Sequence, residues 1–222
     1  MPSPNLPQLS PRAGNGLGGI PRKSDSSPPP TVLVIVISAT DTASKSFKIP
    51  DGYKKARVSF IGKGGLGSVS GSTYYGGNGA GCSITDVFNL IPGKTLDLLE
   101  QSGNQYLSYS SAFSIYMPNS GYGFNTTTRP IGGLKNYSGG QGSTSTSATG
   151  IAGGGAATLY GDGQNALGSD GGLNGPFGIE GRGQGSFYPG KGFGFGAKET
   201  GDPAGTQSGN RGDSAIYLEL WP

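Results

Sequence analysis

The sequence predicts an all-β protein, a small antiparallel β-sandwich built from strands near the two ends of the chain. Short apolar segments with strand-like alternation occur within residues 32–100 and 214–221, and no stretch shows a sustained helical period. Between them, residues 132–212 contain 27 of the 45 glycines. Because glycine has no apolar side chain, this region is expected to be held by backbone contacts rather than by a hydrophobic core.

Residues 1–30 are predicted to form an extended arm that anchors the chain to another protein. They contain eight of the 16 prolines, and they end in Pro28, Pro29 and Pro30. Proline fixes φ, and a triple-proline run favours a semi-rigid extended segment, so no packed element is expected here. Residues 31–222 then form the glycine-rich β domain.

The core strands are predicted from runs of β-branched and apolar residues bounded by turn residues. In the last of them, Ile216, Leu218 and Leu220 are expected to face the core, since alternate residues of a strand share a face. The segments between the strands, residues 63–81 and 101–213, are predicted display loops. The strands lie near residues 32–38, 44–49, 55–62, 82–100 and 214–221.

Two hairpins are predicted from turn residues between these strands. Pro50, Asp51 and Gly52 separate strands 44–49 and 55–62, and they are typical of a tight turn. Pro92 and Gly93 suit the central positions of a type II turn, so they divide segment 82–100 into a second hairpin.

Four glycines recur at every third position in the glycine-rich region, at Gly172, Gly175, Gly178 and Gly181. Period three belongs to the extended left-handed helix of polyproline and collagen chains, which lacks internal hydrogen bonds and needs glycine where backbones touch. We therefore expect loops that are locally polyglycine-II-like, with these four glycines as backbone-packing positions.

The residue types exclude several kinds of chemistry. The chain has no histidine, and Cys82 is its single cysteine, so histidine-based triads, intrachain disulfides and the usual zinc sites are excluded. No catalytic residue, metal or cofactor is predicted, and the protein is expected not to be an enzyme. A calcium site among Asp162, Asn165 and Asp170 and a converging pair of carboxylates both stay open.

The charge distribution is uneven but weak. Residues 1–63 carry nine Lys and Arg residues against three acidic residues, whereas the whole chain has a net charge of +3. These scattered charges do not resemble the basic stripe of a nucleic-acid-binding protein, so no nucleic-acid partner is expected. The first 30 residues contain no apolar signal region, which favours synthesis as a soluble chain.

An Arg-Gly-Asp tripeptide of the integrin-binding type, Arg211 to Asp213, stands immediately before the last predicted strand. Tripeptides of any kind occur frequently by chance. We interpret this one as a turn that leads into the strand rather than as a recognition motif.

The aromatic residues outside the clearest strands are the candidate receptor-binding residues. Tyr, Ser, Gly and Asn together are also the composition of antibody binding loops, in which rigid amphipathic rings supply contact area at low entropy cost. Some of these rings could instead cap or staple the glycine-rich region, and both roles stay open. The candidates are Tyr74, Tyr75, Tyr106, Tyr109, Tyr122, Phe124, Tyr137, Phe177, Phe187, Tyr188, Phe193 and Phe195.

The order of these motifs resembles the glycine-rich domain of bacteriophage tail-fibre, spike and adhesin proteins. That family opens with a strand of the form F-x-(V/I)-P-x-G and continues through a strand ending in glycines, a G-A-G strand and an x-P-G-x-T hairpin. A long glycine-rich region follows, and an apolar strand containing Trp closes the domain. The matching positions are Phe47, Ile49, Pro50 and Gly52, Val58 to Gly65, Gly79 to Gly81, Pro92, Gly93 and Thr95, and Gly212 to Trp221.

The resemblance implies a virion surface protein that attaches the particle to a host cell, made soluble in the host cytoplasm. It implies noncatalytic binding of a host cell-surface glycan or outer-membrane protein through the loops, and assembly as a homotrimer. Residues 1–30 would contact other virion proteins.

A structural virion protein, such as a capsid decoration or a cement of the fibre or baseplate, is the alternative. In that case the loops would contact other virion chains. A polysaccharide-degrading enzyme is a third possibility, and it would need converging carboxylates.

Overall fold

The structure, a computed structural model, describes residues 30–91, 93–122, 128–178, 181–184, 190, 192–197 and 211–222. The predicted arm, apart from its last residue, lies outside the described residues. So do three of the candidate aromatic residues, namely Phe124, Phe187 and Tyr188.

The described residues form twelve β-strands and one short 3-10 helix, Ala148–Gly150. This content confirms the all-β prediction. None of the helical structure in the described ranges is long and apolar enough to cross a membrane. The strands are β1 (Thr31–Ile37), β2 (Lys45–Lys48), β3 (Lys55–Ile61), β4 (Ser68–Ser70), β5 (Thr73–Tyr75), β6 (Cys82–Phe88), β7 (Thr95–Gln101), β8 (Asn104–Tyr109), β9 (Phe113–Met117), β10 (Lys135–Tyr137), β11 (Thr144–Ser145) and β12 (Ser214–Trp221).

A five-stranded antiparallel sheet joins the two ends of the β domain, in the order β1-β12-β3-β6-β10. Ile35 on β1 is opposite Ile216 on β12, which is in turn opposite Phe60 on β3. The predicted inward face of the last strand is confirmed, because Ile216, Leu218 and Leu220 are all buried. The ends of the long glycine-rich segment are therefore tied to one sheet.

A four-stranded sheet, β2-β7-β8-β9, lies alongside, and it corrects both predicted hairpins. β2 pairs with β7 rather than with β3, and β6 and β7 belong to different sheets. The turns themselves are present, since Gly52 and Gly93 have φ angles of 91° and 78°. Each turn carries the chain from one sheet to the other, because turn residues specify a reversal and not the partner of the next strand.

One hydrophobic cluster draws buried side chains from both of these sheets, including Phe60 and Leu218 from the first and Leu98 and Leu107 from the second. The β-sandwich arrangement stays a prediction, although a shared core is what such an arrangement requires. Both predicted display loops are corrected, because loop 63–81 contains β4 and β5 and loop 101–213 contains β8 to β11. Of these strands, β8 and β9 contribute side chains to the cluster. These two strands alternate buried and partly exposed residues as expected of a half-buried sheet.

The described part of the glycine-rich region forms an ordered backbone lattice around residues 152–157, which we call the central segment. Every residue of the central segment is buried. Its backbone groups hydrogen-bond six other segments of the chain, and this replaces the hydrophobic core that glycine cannot supply. The partners are Gly77 and Ala80, Gly140 and Ser143, Gln164, Gly172 and Gly175, Gln184, and Gly196.

Period three is visible in the hydrogen bonds of the lattice. The N–H groups of Gly154 and Ala157 lie three residues apart, and they donate to the carbonyls of Gly77 and Ala80 at 2.9 and 2.8 Å. The bonds of the central segment with residues 172–175 follow the same three-residue step. A chain that returns to the same neighbour every third residue has the repeat of the polyproline-type helix.

Close approach of the backbones explains the glycines of the central segment. A Cβ atom on Gly154 would lie 2.0 Å from the carbonyl oxygen of Gly140, and one on Gly155 would lie 2.0 Å from that of Leu173. No side chain fits such a space without moving the neighbouring backbone. The lattice therefore requires glycine at these positions.

The predicted triplet run is only partly a lattice segment. Gly172 packs against backbone, since a Cβ there would lie 1.9 Å from the carbonyl oxygen of Gln164. Gly175, Gly178 and Gly181 instead have φ angles of +59°, +63° and +114°. A polyproline-type helix needs φ near −75°. These three glycines therefore do not continue a polyproline-type helix, and of the four predicted backbone-packing positions in this run Gly172 is the one that fits the lattice.

Candidate functional site

Tyr109 is removed from the candidate receptor-binding residues. It is 1% exposed and belongs to the main hydrophobic cluster. Its hydroxyl accepts a hydrogen bond from the backbone N–H of Ile91 at 2.8 Å. A ring enclosed in the core cannot contact a partner, so Tyr109 has a structural role.

Two further candidates are half-buried against other parts of the sheets. Tyr106 on β8 packs against Tyr116 on β9, with ring centres 5.1 Å apart. Tyr137 on β10 is opposite Cys82 and packs on a second, smaller buried cluster. Both rings staple the fold, which is the structural role that the sequence left open.

A tyrosine pair lies at the edge of the lattice. Tyr75 and Tyr122 have ring centres 5.8 Å apart at an interplanar angle of 45°, and Tyr122 is 44% exposed. Tyr74, the neighbour of Tyr75 on β5, is half-buried. The backbone carbonyl of Gly121 accepts from the N–H of Asn78 at 3.0 Å, so the lattice holds the chain where Tyr122 begins.

Phe193 and Phe195 lie together on the wall of a cavity of about 470 Å³, which we call the first cavity. Phe193 packs edge-to-face on Tyr217 of β12, with ring centres 6.1 Å apart. Phe177, by contrast, is 72% exposed and lines neither this cavity nor the one described below. Of the three predicted phenylalanines that the structure describes, two therefore line the same cavity, and Phe177 lies apart from them.

Arg211 lies between the first cavity and a second cavity of about 330 Å³, and it lines both. Its guanidinium donates to the backbone carbonyls of Ala39, at 2.7 Å, and Gly64, at 3.5 Å. Asp213 accepts from the N–H of Ala39 at 2.6 Å. The Arg-Gly-Asp tripeptide is thus tied into the entry of the last strand. Its three residues form no turn, so that part of its interpretation is wrong.

The second cavity combines an aromatic ring with polar groups of several kinds. Tyr122 supplies the ring, Ser102 a hydroxyl, Asn119 an amide and Arg211 a cation, and Glu100 is a further lining residue. Such a mixture of one ring with a few convergent polar groups is typical of a small-ligand site.

A buried ion pair underlies the second cavity. The ammonium of Lys63 lies 3.2 Å from the Oε1 atom of Glu100, and it also donates to the carbonyl of Asp41. Gln105 and Ser120 bond the backbone of Lys63. The Oε2 atom of Glu100 is buried and has no hydrogen-bond partner among the described residues. The pair fixes the end of β7 against the segment that follows β3.

The electrostatics of this region are dominated by Arg211. Burial lowers the pKa of its guanidinium below the usual value, and the negative charge of Glu100 partly opposes that shift. Arg211 forms no salt bridge within the described part of the chain, whereas Glu100 is already paired with Lys63. Counting the three groups, the second cavity carries one excess positive charge.

Arg211, Glu100, Asn119 and Ser102 were not predicted as site residues from the sequence. Arg211 stood in a tripeptide whose usual meaning, an exposed adhesive loop, does not apply here. Ser102 has a φ of 50°, but a single serine before a glycine carries no recognisable signal. These residues come together only through contacts between segments far apart in the chain.

Two of the three residues considered for calcium binding, Asp162 and Asn165, accept hydrogen bonds from the backbone. Asp162 accepts from the N–H of Ser138 at 2.7 Å, and Asn165 accepts from that of Gln141 at 2.8 Å. Within the described ranges, no three His, Cys, Asp or Glu side chains are grouped closely enough to hold a metal ion.

Comparison with known proteins adds no identification, because no protein-family model and no curated protein matches the chain. The fold and the two cavities define a glycine-rich all-β protein with aromatic and polar groups around Arg211. These two cavities are the basis for inferring its function.

Proposed function

We propose that the protein is a virion surface protein, part of a tail fibre, spike or tail tip, that attaches a bacteriophage to its host by noncatalytic receptor binding. The receptor would be a host cell-surface glycan or an outer-membrane protein. The observation that carries the binding role is the gathering of Tyr122, Phe193 and Phe195 around Arg211, at the walls of two cavities that share this residue.

The lattice supports this role because it makes a rigid platform for Tyr122, which is exposed, and for Phe195, which is half-buried. Tyr122 directly follows Gly121, whose carbonyl is bonded to the lattice, and Phe195 stands between Gly194 and Gly196. Binding a partner costs less entropy when the contacting side chains are already held in place. A backbone lattice can hold aromatic rings in this way without enclosing them in a core.

The virion location rests on the resemblance to phage glycine-rich domains. We propose that residues 1–30 anchor the chain to other virion proteins and that the chain forms a homotrimer. Deleting residues 1–30 should prevent incorporation into particles while the β domain stays folded. Light scattering of the full chain should give three times the mass of one chain, and a monomer at micromolar concentration would contradict the trimer.

Cell binding tests the attachment role directly. Labelled full chain is incubated with bacterial strains that differ in surface polysaccharide and outer-membrane proteins, and bound fluorescence is compared between variants. Tyr122→Ala and Phe195→Ala should each reduce binding, whereas the matched control Tyr160→Ala should not, because Tyr160 is exposed but lines neither cavity. Unchanged binding by both variants would reject the proposed site.

A structural role in the virion is the second candidate, and one observation favours it. On β1, at the edge of the described five-stranded sheet, Val32, Val34 and Val36 are each at least half exposed. An uncharged apolar edge strand is suited to pairing with another chain. If Val34→Lys prevented particle assembly while the cavity variants left adsorption unchanged, the cement role would replace the attachment role.

A further inference from the structure

We propose that the second cavity binds a sugar unit that carries a carboxylate, such as a uronic acid within a bacterial surface polysaccharide. This inference deepens the proposed attachment function and rests on it. The cavity is lined by a cation, a ring and neutral hydrogen-bonding groups, and each matches a different part of an acidic sugar.

The cation selects the carboxylate. Arg211 is partly buried and has no salt bridge in the described part of the chain, and its burial lowers the pKa of the guanidinium. The bound carboxylate would supply the missing counter-charge. Two of the five guanidinium N–H donors are enough for a bidentate contact, and the bonds to Ala39 and Gly64 leave that number available.

Glu100 does not cancel this preference for an anion. Its carboxylate is paired with Lys63 at 3.2 Å, and both side chains are about 95% buried, with exposed fractions of 5% and 4%. Because the Lys63–Glu100 pair is neutral as a unit, the remaining charge is that of Arg211. A cationic ligand would meet one excess positive charge, and a neutral ligand would leave Arg211 unpaired.

The neutral groups match the hydroxyls of a sugar. The Oδ1 atom of Asn119 accepts from the N–H of Gly121 at 3.3 Å, so its amide nitrogen remains to donate to a ligand. A Cβ on Gly103 would lie 2.5 Å from that nitrogen, and the missing side chain makes room for the amide. Ser102, at the adjacent position, adds a hydroxyl that can donate or accept.

Tyr122 supplies the apolar surface for the sugar ring. Its ring is 44% exposed and is supported from one side by Tyr75. Aromatic rings bury large areas at the cost of only two side-chain rotations, so a supported tyrosine is a good platform for a rigid ring. The volume of about 330 Å³ is at the lower end of ligand pockets and suits one sugar unit rather than a long oligosaccharide.

The test compares methyl glucuronide with methyl glucoside, which share the pyranose ring and differ by a carboxylate in place of a hydroxymethyl group. Saturation-transfer NMR on the full chain, at equal ionic strength, measures both affinities. We expect the glucuronide to bind about tenfold more tightly, since a charge-assisted bidentate contact is roughly twice as strong as a neutral one. Its binding should weaken with added salt.

Variants separate the contributions of the cation, the aromatic ring and the neutral amide. Arg211→Gln should remove the preference for glucuronide, and Arg211→Lys should restore only part of it because Lys lacks the planar fork. Tyr122→Ala should weaken both sugars while keeping their ratio, and Tyr160→Ala should change neither. Thermal unfolding checks that each variant is folded. If the Arg211 variants do not fold, Asn119→Ala serves instead, and it should weaken both sugars without changing their ratio.

Three of the following results would overturn the inference, and the last would overturn only the attachment function on which it rests. Equal affinity for the two sugars would show that no carboxylate is recognised, and acetate binding as tightly as the glucuronide would indicate a simple anion site. Loss of cell binding in Tyr122→Ala with no sugar binding would keep the attachment function and point to a protein receptor. Sugar binding with unchanged cell binding would keep the sugar site and reject the attachment function.

Discussion

The Oε1 atom of Glu100 lies 3.2 Å from the ammonium of Lys63, and both side chains are almost fully buried. This pair connects the second sheet to the segment that leads into the lattice. A buried pair of charges is costly to break, because removing one partner leaves the other unpaired in a medium that solvates it poorly.

Breaking that pair should therefore destabilise the protein strongly. Lys63→Met and Glu100→Gln are each expected to lower the free energy of unfolding by about 3 to 5 kcal/mol, measured by urea denaturation. The double variant with Lys63→Met and Glu100→Gln should lose less than the sum of the two single losses, because neither member of the pair is then left charged without the other. Single losses below about 1 kcal/mol, typical of a surface pair, would contradict the buried network.

The lattice should tolerate no side chain at its centre. Gly154→Ala places a Cβ atom 2.0 Å from the carbonyl oxygen of Gly140, so we expect a loss of at least about 2 kcal/mol or failure to fold. Gly150→Ala is the matched control, since its Cβ would lie 3.1 Å from the side-chain oxygen of Ser145 and meet no backbone. Equal thermal stabilities of the two variants would show that the lattice can expand.

Side-chain amides complete the lattice where a backbone partner is missing. The Oδ1 atom of Asn174 accepts from the N–H of Ala156 at 2.9 Å and is buried, whereas that of Asn165 accepts from Gln141 at an exposed site. Asn174→Ala should cost about 1 to 3 kcal/mol because it leaves a buried N–H unpaired.

Asn165→Ala is the control for Asn174→Ala. Water can replace the side-chain oxygen of the exposed Asn165, so this variant should lose less unfolding free energy. Denaturant unfolding of both variants gives the comparison. A larger loss for Asn165→Ala than for Asn174→Ala would contradict the role of burial.

Stability should fall in acid through Asp97, which joins β2 to β7. Hydrogen bonds from Ser46, at 2.6 Å, and from Thr95, at 2.8 Å, hold the pKa of Asp97 below its usual value. The stabilisation is therefore present above the unfolded pKa of about 3.9 and is lost as the pH falls through the lower folded value. The effect is small because the carboxylate is exposed.

Asp97→Asn isolates this contribution. At about pH 6 the variant should have a lower free energy of unfolding than the unsubstituted protein. This difference should disappear as the pH falls and Asp97 is protonated. NMR titration of the Asp97 carboxyl checks the direction of the shift. A difference in unfolding free energy that stays constant down to the lowest pH would show that Asp97 acts by another route.

Some of the candidate site could be predicted from the sequence. Tyr122, Phe193 and Phe195 were identified as aromatic residues in glycine-rich surroundings, and all three line a cavity beside Arg211. Tyr109 was misassigned, because a serine- and tyrosine-rich strand resembles a display loop when its partner strand is unknown. Arg211 was noted in the tripeptide but was not predicted as a site residue, because its neighbours along the chain do not include the groups that it contacts in the fold.

Six of the twelve described strands, β4, β5 and β8 to β11, lie in segments that were predicted as display loops. Local pattern was sufficient for the all-β class, for the other six strands, for the inward face of β12 and for the need to pack the glycine-rich region through its backbone. These properties depend on alternation and on side-chain size, which are visible within a few residues. The sheet in which each strand pairs, the position of the three-residue lattice repeat and the cavity around Arg211 depended on the folded chain. They arise from hydrogen bonds and contacts between segments far apart in the chain, such as Arg211 with Ala39, which are separated by 172 residues. No local pattern encodes those partners.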